Sequence, residues 1–351
     1  MTTQGYTHDP AFDKGYLSVG SIHKLHYEQY GNPNGKPVIF LHGGPGGNTS
    51  PSNAAYFNPT IYRVVLYDQR GAGQSLPTAC IEENTTHHLI GDIEILRKHL
   101  GIAKWFMVFG GSWGATLALL YAQRYPEMVG SMVLRGIFTA RQSEIDWTRM
   151  PDGGAAKIWP AEYERFLGFL DDDGDERRNL PESYSKYILN VSDDEVARKK
   201  RMDAALEWNR WELTIGALTH TPSTYDKLMD EDWVLAHATL EAHYEANGAW
   251  LEEGQILKGE NMERIRHIPG TIIQGRYDVV CPPQTAWELH KAWPGSRLFM
   301  IPDAGHSPTE PGTWKKLLES HHPKEQNIKE ERLWSLAKNM EISRSGNYRK
   351  E

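Results

Sequence analysis

Two cysteines in 351 residues are too few to staple a fold with disulfides. Cys80 and Cys281 also fit no C-x-x-C pair, so both read as reduced thiols of a reducing compartment. No apolar run approaches the roughly 20 residues that a membrane span needs, which argues against contact with a membrane. The opening Met1-Thr2-Thr3-Gln4-Gly5-Tyr6 has neither the basic start nor the apolar core of a secretion signal and leads to the expectation of a cytoplasmic protein. Positive charge is in deficit: 38 Lys and Arg face 46 Asp and Glu, for a net charge of −8. The one basic run, residues 198–201, closely follows Asp193-Asp194-Glu195. This balance excludes a nucleic-acid surface and leaves the basic run as a solvated helix face. Metal-ligand patterns are missing too. The pairs His87-His88 and His321-His322 lack H-E-x-x-H spacing and cysteine partners. Setting Asp171-Asp172-Asp173-Gly174-Asp175 on a calcium loop by its glycine puts Phe169 where the first acidic ligand belongs. That segment reads as a solvated loop between helices, and neither a metal nor a cofactor is expected.

The chain is long enough for one large domain carrying an insertion, or for two domains. Residues 14–30 alternate, with Tyr16, Leu17 and Val19 before a Gly20-Ser21 turn and Ile22, Leu25 and Tyr27 after it, which predicts an edge hairpin. Continuous apolar runs follow at 37–41, 62–67, 105–109 and 131–134, as expected of strands covered on both faces. Between the second and third, Leu89, Ile93, Leu96 and Leu100 recur at helical spacing, with Gly101 placed to end the helix. A parallel sheet with crossover helices is the expected result, its ligand site at the carboxyl ends of the strands. From about 141 to 266 strand-like runs vanish, and tryptophans appear at 147, 159, 208, 211, 233 and 250. Strand signals then resume at 271–275 and 297–301. The expected organisation is a core in two parts, 1–140 and 267–351, around a helical cap at 141–266. The polar tail has only Trp314, Leu317, Leu318 and the 333–336 region to dock with, in one or two terminal helices.

Gly110-Gly111-Ser112-Trp113-Gly114 sits between the third apolar run and the helix-like residues 115–124. G-x-S-x-G in a strand–turn–helix is the nucleophile elbow of α/β-hydrolases. The turn holds its serine at an unfavourable backbone angle and requires small residues on either side. A serine hydroxyl needs a base and an orienting carboxylate, and in this fold they follow the serine in the order acid, then histidine. Asp278, after the run ending Gln274-Gly275, and His306, in Asp303-Ala304-Gly305-His306 after the last run, fit that order. Asp68 precedes the serine, and Asp303 lies so close to His306 that it would rather shape the loop. For the oxyanion, one N–H comes from the residue after the nucleophile, Trp113. The second comes from Leu41-His42-Gly43-Gly44-Pro45-Gly46-Gly47, with Gly44 ahead of Gly43. A phosphate loop is excluded because no Lys-Ser/Thr follows.

His42-Gly43-Gly44-Pro45-Gly46-Gly47, Asp68-Gln69-Arg70-Gly71-Ala72-Gly73-Gln74-Ser75 and the elbow occur together and in order. In these motifs the chain resembles the proline iminopeptidases, or prolyl aminopeptidases, over roughly residues 10 to 310. The resemblance implies the α/β-hydrolase fold, a mostly parallel sheet with flanking helices and an inserted helical cap. It implies a serine aminopeptidase releasing N-terminal proline from small peptides or proline amides through an acyl-enzyme, with Ser112, Asp278 and His306 as the triad. It also implies that Glu212, in Trp208-Asn209-Arg210-Trp211-Glu212, and Glu241, in Leu240-Glu241-Ala242-His243-Tyr244, read the imino nitrogen. A buried ammonium needs paired negative charge, and such a site rejects acylated N-termini. Phe138 is either an aromatic wall for the pyrrolidine ring or plain core packing. Cys281, three residues past Asp278, is either a buried small hydrophobe or a source of thiol sensitivity. The chain departs from the family pattern at Gly47-Asn48, in the acidic 171–176 loop and in its charged tail. The same triad in an esterase or amidase acting on a small metabolite, or a non-catalytic binding protein of this fold, are the rival readings.

Overall fold

The hairpin expected over 14–30 forms as β1 (Asp13–Val19) and β2 (His23–Gly31), antiparallel, with Val19 opposite His23. Gly20 takes φ +60° in its turn, a left-handed conformation that glycine adopts without a side-chain penalty. In the computed structural model, which describes residues 4–170 and 176–320, the other strands are β3 (Lys36–Leu41), β4 (Tyr62–Tyr67), β5 (Met107–Ser112), β6 (Met132–Ile137), β7 (Gly270–Gly275) and β8 (Ser296–Ile301). One sheet takes them in the order β1-β2-β4-β3-β5-β6-β7-β8. Pairing is antiparallel at β1·β2 and β2·β4 and parallel beyond.

β5 departs from its apolar run, starting later and continuing through both glycines to Ser112. Register decides this, because Met107 pairs with Val38 of β3 and Val108 with Met132 of β6. Trp105 falls outside the ladder, in an isolated bridge to Val129, with its indole buried. The periodic helix forms as α1 (Thr86–His99), burying Leu89, Ile93 and Leu96. Thr85 caps it by accepting from the His88 N–H, and Gly101 ends it at φ +63°. α2 (Trp113–Arg124) starts directly after β5 and is buried along most of its length.

Between β6 and β7 no strand occurs among the described residues. The chain runs instead through α3 (Gln142–Arg149), α4 (Gly154–Ile158), α5 (Pro160–Leu167), α6 (Leu180–Ile188), α7 (Glu195–Ile215), α8 (Glu231–Ala246) and α9 (Gly259–Ile265). Phe166, Tyr184, Trp208, Trp211, Val234 and Ala238 form a separate core among these helices. Tyr244, Ile256, Met262 and Ile265 belong instead to the core that flanks the sheet and includes Trp113 and Leu117. Separate packing of the helical layer thus ends within α8.

The described residues close with α10 (Pro283–Ala292) and α11 (Pro311–Glu319). α11 buries Leu317 and Leu318, and the Trp314 ring lies 4.7 Å from that of Tyr56. The basic run lies on α7 and is only half a solvated face: Arg198 and Lys199 are exposed, Lys199 pairing with Asp203 at 2.6 Å, whereas Arg201 turns inward to donate to the Ile188 carbonyl at 2.8 Å. The 171–175 loop, His321-His322 and the 333–336 region fall outside the described residues. No helix among the described residues is long and apolar enough to cross a membrane.

Candidate active site

Ser112 stands at the end of β5 with φ 57° and ψ −126°, a conformation that costs a non-glycine residue about 1–3 kcal/mol. Its outer neighbours must be glycine. A Cβ on Gly110 would lie 2.2 Å from the Gly114 carbonyl oxygen, and one on Gly114 would lie 2.0 Å from that of Leu41. Trp113 opens α2, so its N–H has no intrahelical acceptor. Its buried indole donates to Gln69 Oε1 at 3.1 Å and meets the Tyr244 ring edge-on at 5.1 Å.

The loops after β7 and β8 are tied by backbone bonds from Arg276 N–H to Ile301 O (2.8 Å) and from Tyr277 N–H to Ala304 O (2.9 Å). This brings Asp278 to His306, whose Nδ1 lies 2.8 Å from Oδ2 and 3.0 Å from Oδ1. The buried carboxylate also accepts from Cys281 N–H at 2.8 Å and from Gln274 Nε2 at 2.9 Å. A carboxylate only accepts, so the His306 proton sits on Nδ1 and the lone pair on Nε2, as a general base requires. That lone pair accepts from Arg135 Nη1 at 3.1 Å. Among the described residues no hydrogen bond joins His306 to Ser112 Oγ, although both line one cavity. The rival acids lie elsewhere: Asp68 accepts from the Thr49 and Gln74 amides, and Asp303 is exposed.

In the glycine loop His42 accepts from the Gln69 N–H at Nε2 (2.9 Å), so its Nδ1–H donates to the Gly43 carbonyl (2.9 Å). Burial pushes the His42 pKa below its ordinary value despite the Asp68 charge, which keeps the ring neutral in this role. The Gly47 N–H also holds the Gly43 carbonyl, at 3.2 Å. C=O and N–H of a trans peptide point in opposite directions, so the Gly44 N–H is turned away from His42. The Gly43 α-carbon faces Ser112: a Cβ there would lie 3.3 Å from Ser112 Cβ.

Ser112, His306, Phe138, Glu212 and Glu241 line a single cavity of about 740 Å³. Two residues that sequence reasoning missed complete its acidic wall. Glu245 is one helical turn beyond Glu241 on α8, a spacing that could have flagged it. Arg149, the last residue of α3, is 1% exposed, and its Nη1 lies 2.5 Å from Glu212 Oε1. Its Nη2 lies 2.7 Å from Glu245 Oε1 and 3.9 Å from Glu241 Oε2. The guanidinium stacks 4.0 Å over Trp208, whose indole donates to Glu241 at 2.7 Å. Burial works against the Arg149 charge, but Glu212 and Glu245 hold its pKa above the ordinary arginine value. Burial also raises the pKa of Glu241 well above its ordinary value and raises that of Glu245, with Arg149 pulling both back.

Removing one partner of such a buried cluster costs about 3–5 kcal/mol, so Arg149→Met will lower the thermal midpoint of unfolding markedly. Without the arginine, both carboxyls hold protons still more tightly in the folded state. Their contribution is then present at low pH and lost as pH rises through the folded pKa. The deficit measured by denaturant titration will therefore be larger at about pH 8 than at about pH 5. An equal deficit at both would remove Arg149 as the ion that lowers the proton affinity of these carboxyls.

Cys281 is buried, and burial with the nearby Asp278 charge raises its thiol pKa well above the ordinary value, which suits a small packing residue. Among the described residues no group of three His, Cys, Asp or Glu could hold a metal ion.

A family model described as alpha/beta hydrolase fold matches residues 36–313. The chain is 47% identical over 308 residues to the proline iminopeptidase of Arabidopsis thaliana, covering 88% of this chain and 78% of that one. It is 46% identical over 310 residues to a probable proline iminopeptidase of Leptolyngbya boryana, covering 88% and 93%. The solved structure of a 2-hydroxy-6-oxo-6-phenylhexa-2,4-dienoate hydrolase from Rhodococcus sp. strain RHA1 matches with a TM-score of 0.59 at 20% identity. That match covers 90% of this chain and 98% of that one and shows likeness of fold alone.

Proposed function

Because the chain belongs to the proline iminopeptidase family of α/β-hydrolases, it is a hydrolase that releases N-terminal proline from peptides, and we propose that Ser112, His306 and Asp278 carry out this reaction. The observation that carries the reading is the shared cavity, lined by the strained Ser112, by His306 with Asp278 behind it, and by Glu212 and Glu241.

Ser112 Oγ attacks the prolyl carbonyl while its proton passes to His306 Nε2, and Asp278 holds the imidazolium that forms. The Gly44 and Trp113 amides donate to the oxyanion. His306 then protonates the leaving amine, and water hydrolyses the prolyl ester on Ser112 by the same route in reverse. For the first transfer, Arg135 must leave or share the Nε2 lone pair it occupies.

Glu212 and Glu241 receive the prolyl ammonium, and Phe138 packs on its ring. With the cavity empty, burial and the Glu212 charge favour a proton on Glu241, and an arriving cation displaces it. KM for a proline arylamide will therefore rise as pH falls, beginning above the ordinary carboxylate range. N-acetylation removes the positive charge that the two carboxylates receive, so the acetylated arylamide will be hydrolysed at least about 100-fold less efficiently. Glu241→Gln will close most of that gap by weakening the free substrate. Preference for the acetylated compound would instead favour the esterase or amidase reading.

A further inference from the structure

Arg135, near the end of β6, is a nearly buried cation with no carboxylate partner among the described residues. It is 9% exposed, and its Nη1 donates to His306 Nε2 at 3.1 Å and to the His306 carbonyl at 2.7 Å. The guanidinium lies across the residue before the nucleophile: a Cβ on Gly111 would come within 2.5 Å of Nη2 and 2.9 Å of Nε. Arg135 also lines the cavity that holds Ser112. No part of the reaction as described needs it, and its place on Nε2 opposes that reaction.

Arginine stays charged at any working pH. A buried guanidinium bonded to a neutral ring nitrogen and a carbonyl takes a carboxylate in preference, since charge-assisted and bidentate contacts are the stronger ones. The substrate can bring one. His306 Nε2 must protonate the nitrogen of the residue that leaves, and the carboxyl carbon of that residue is two covalent bonds away, about 2.5 Å. When the scissile nitrogen sits at Nε2, a carboxylate on the leaving residue falls within reach of a guanidinium 3.1 Å from the same atom.

We propose that Arg135 binds the free C-terminal carboxylate of a proline-initiated dipeptide, and that this contact draws the guanidinium off His306 Nε2 as the substrate arrives. The proposal rests on the aminopeptidase reading above and adds the length of the preferred peptide. In a longer chain the same position holds a neutral peptide carbonyl, which competes less well for the arginine. Arg135 is thus a specificity-determining residue that also keeps the base occupied until a substrate with the right ending enters.

The test compares kcat and KM for Pro-Ala, its C-terminal amide and a proline arylamide, using the full-length protein. Wild type is expected to favour Pro-Ala over the amide by about tenfold in kcat/KM, and Arg135→Met to bring that ratio close to one. A wild-type ratio near one, or a ratio that survives Arg135→Met, overturns the proposal. If Arg135→Met is inactive on every substrate, Arg135→Lys decides. Recovery of Pro-Ala ahead of its amide supports carboxylate binding, whereas equal recovery, or none, makes Arg135 a support for His306 only. Wild type failing on all three proline compounds would instead bring down the aminopeptidase reading, and the proposal with it.

Discussion

Ser112→Ala will lower kcat for a proline arylamide by about 10⁶-fold, since the nucleophile and base of such a triad act as a unit and losing either removes nearly the whole effect. The fold will survive. Alanine keeps the Cβ already accommodated at φ 57°, and Ser112 Oγ has no hydrogen-bond partner among the described residues to leave stranded. Circular dichroism and thermal unfolding should match wild type, while labelling by a serine-directed fluorophosphonate disappears. A variant retaining more than about 1% of wild-type turnover with the same pH profile would sink the mechanism.

Asp278→Asn will cost about 10⁴-fold in kcat, for reasons visible in its contacts. Oδ1 accepts from the Cys281 amide and Oδ2 from Gln274 Nε2, and both oxygens face His306 Nδ1. An asparagine has one oxygen, so whichever way it turns, its amide nitrogen meets a donor. Turned toward the ring, the amide nitrogen demands a lone pair on Nδ1 and shifts the proton to Nε2, where it can neither accept from Ser112 nor face Arg135 Nη1 without repulsion. The loss should appear in kcat more than in KM, together with a lower thermal midpoint. Activity within tenfold of wild type would show that another carboxylate orients His306.

The parts of this site that could be read from the chain are those carried by local pattern. The elbow, the glycine loop and the residues after β7 and β8 are short segments whose chemistry and order sufficed to single out Ser112, Asp278 and His306. The strands were legible for the same reason, except that hydrophobicity assigned Trp105 to β5 and stopped short of Ser112 in β5 and of Ile137 in β6. A buried indole and a paired strand residue look alike until the register is known. What stayed hidden depends on distant segments meeting. Nothing in the spacing of Arg149, at the end of α3, relates it to Glu212 on α7 or Glu245 on α8, and Arg135 gives no sign that it will reach His306. Gln274 and His42 set a carboxylate and a tautomer through contacts of the same kind. Motifs announce the groups that react, whereas the groups that hold them emerge only from packing.

Tyr244 sits on α8 between Glu241 and Glu245, yet its ring packs in the core that flanks the sheet, edge-on to Trp113, and its hydroxyl donates to Asn84 at 2.8 Å. Anyone exchanging the helical layer with that of a relative would find that the seam does not run where the strands end. A graft cut at β6 and β7 removes the ring beside Trp113, leaving a cavity of the kind that costs about 3–5 kcal/mol when a buried aromatic is lost. It would loosen the first turn of α2, which follows directly on the nucleophile, before any new pocket had been tried. Chimeras built on this scaffold should keep Tyr244 and all that follows it with the sheet.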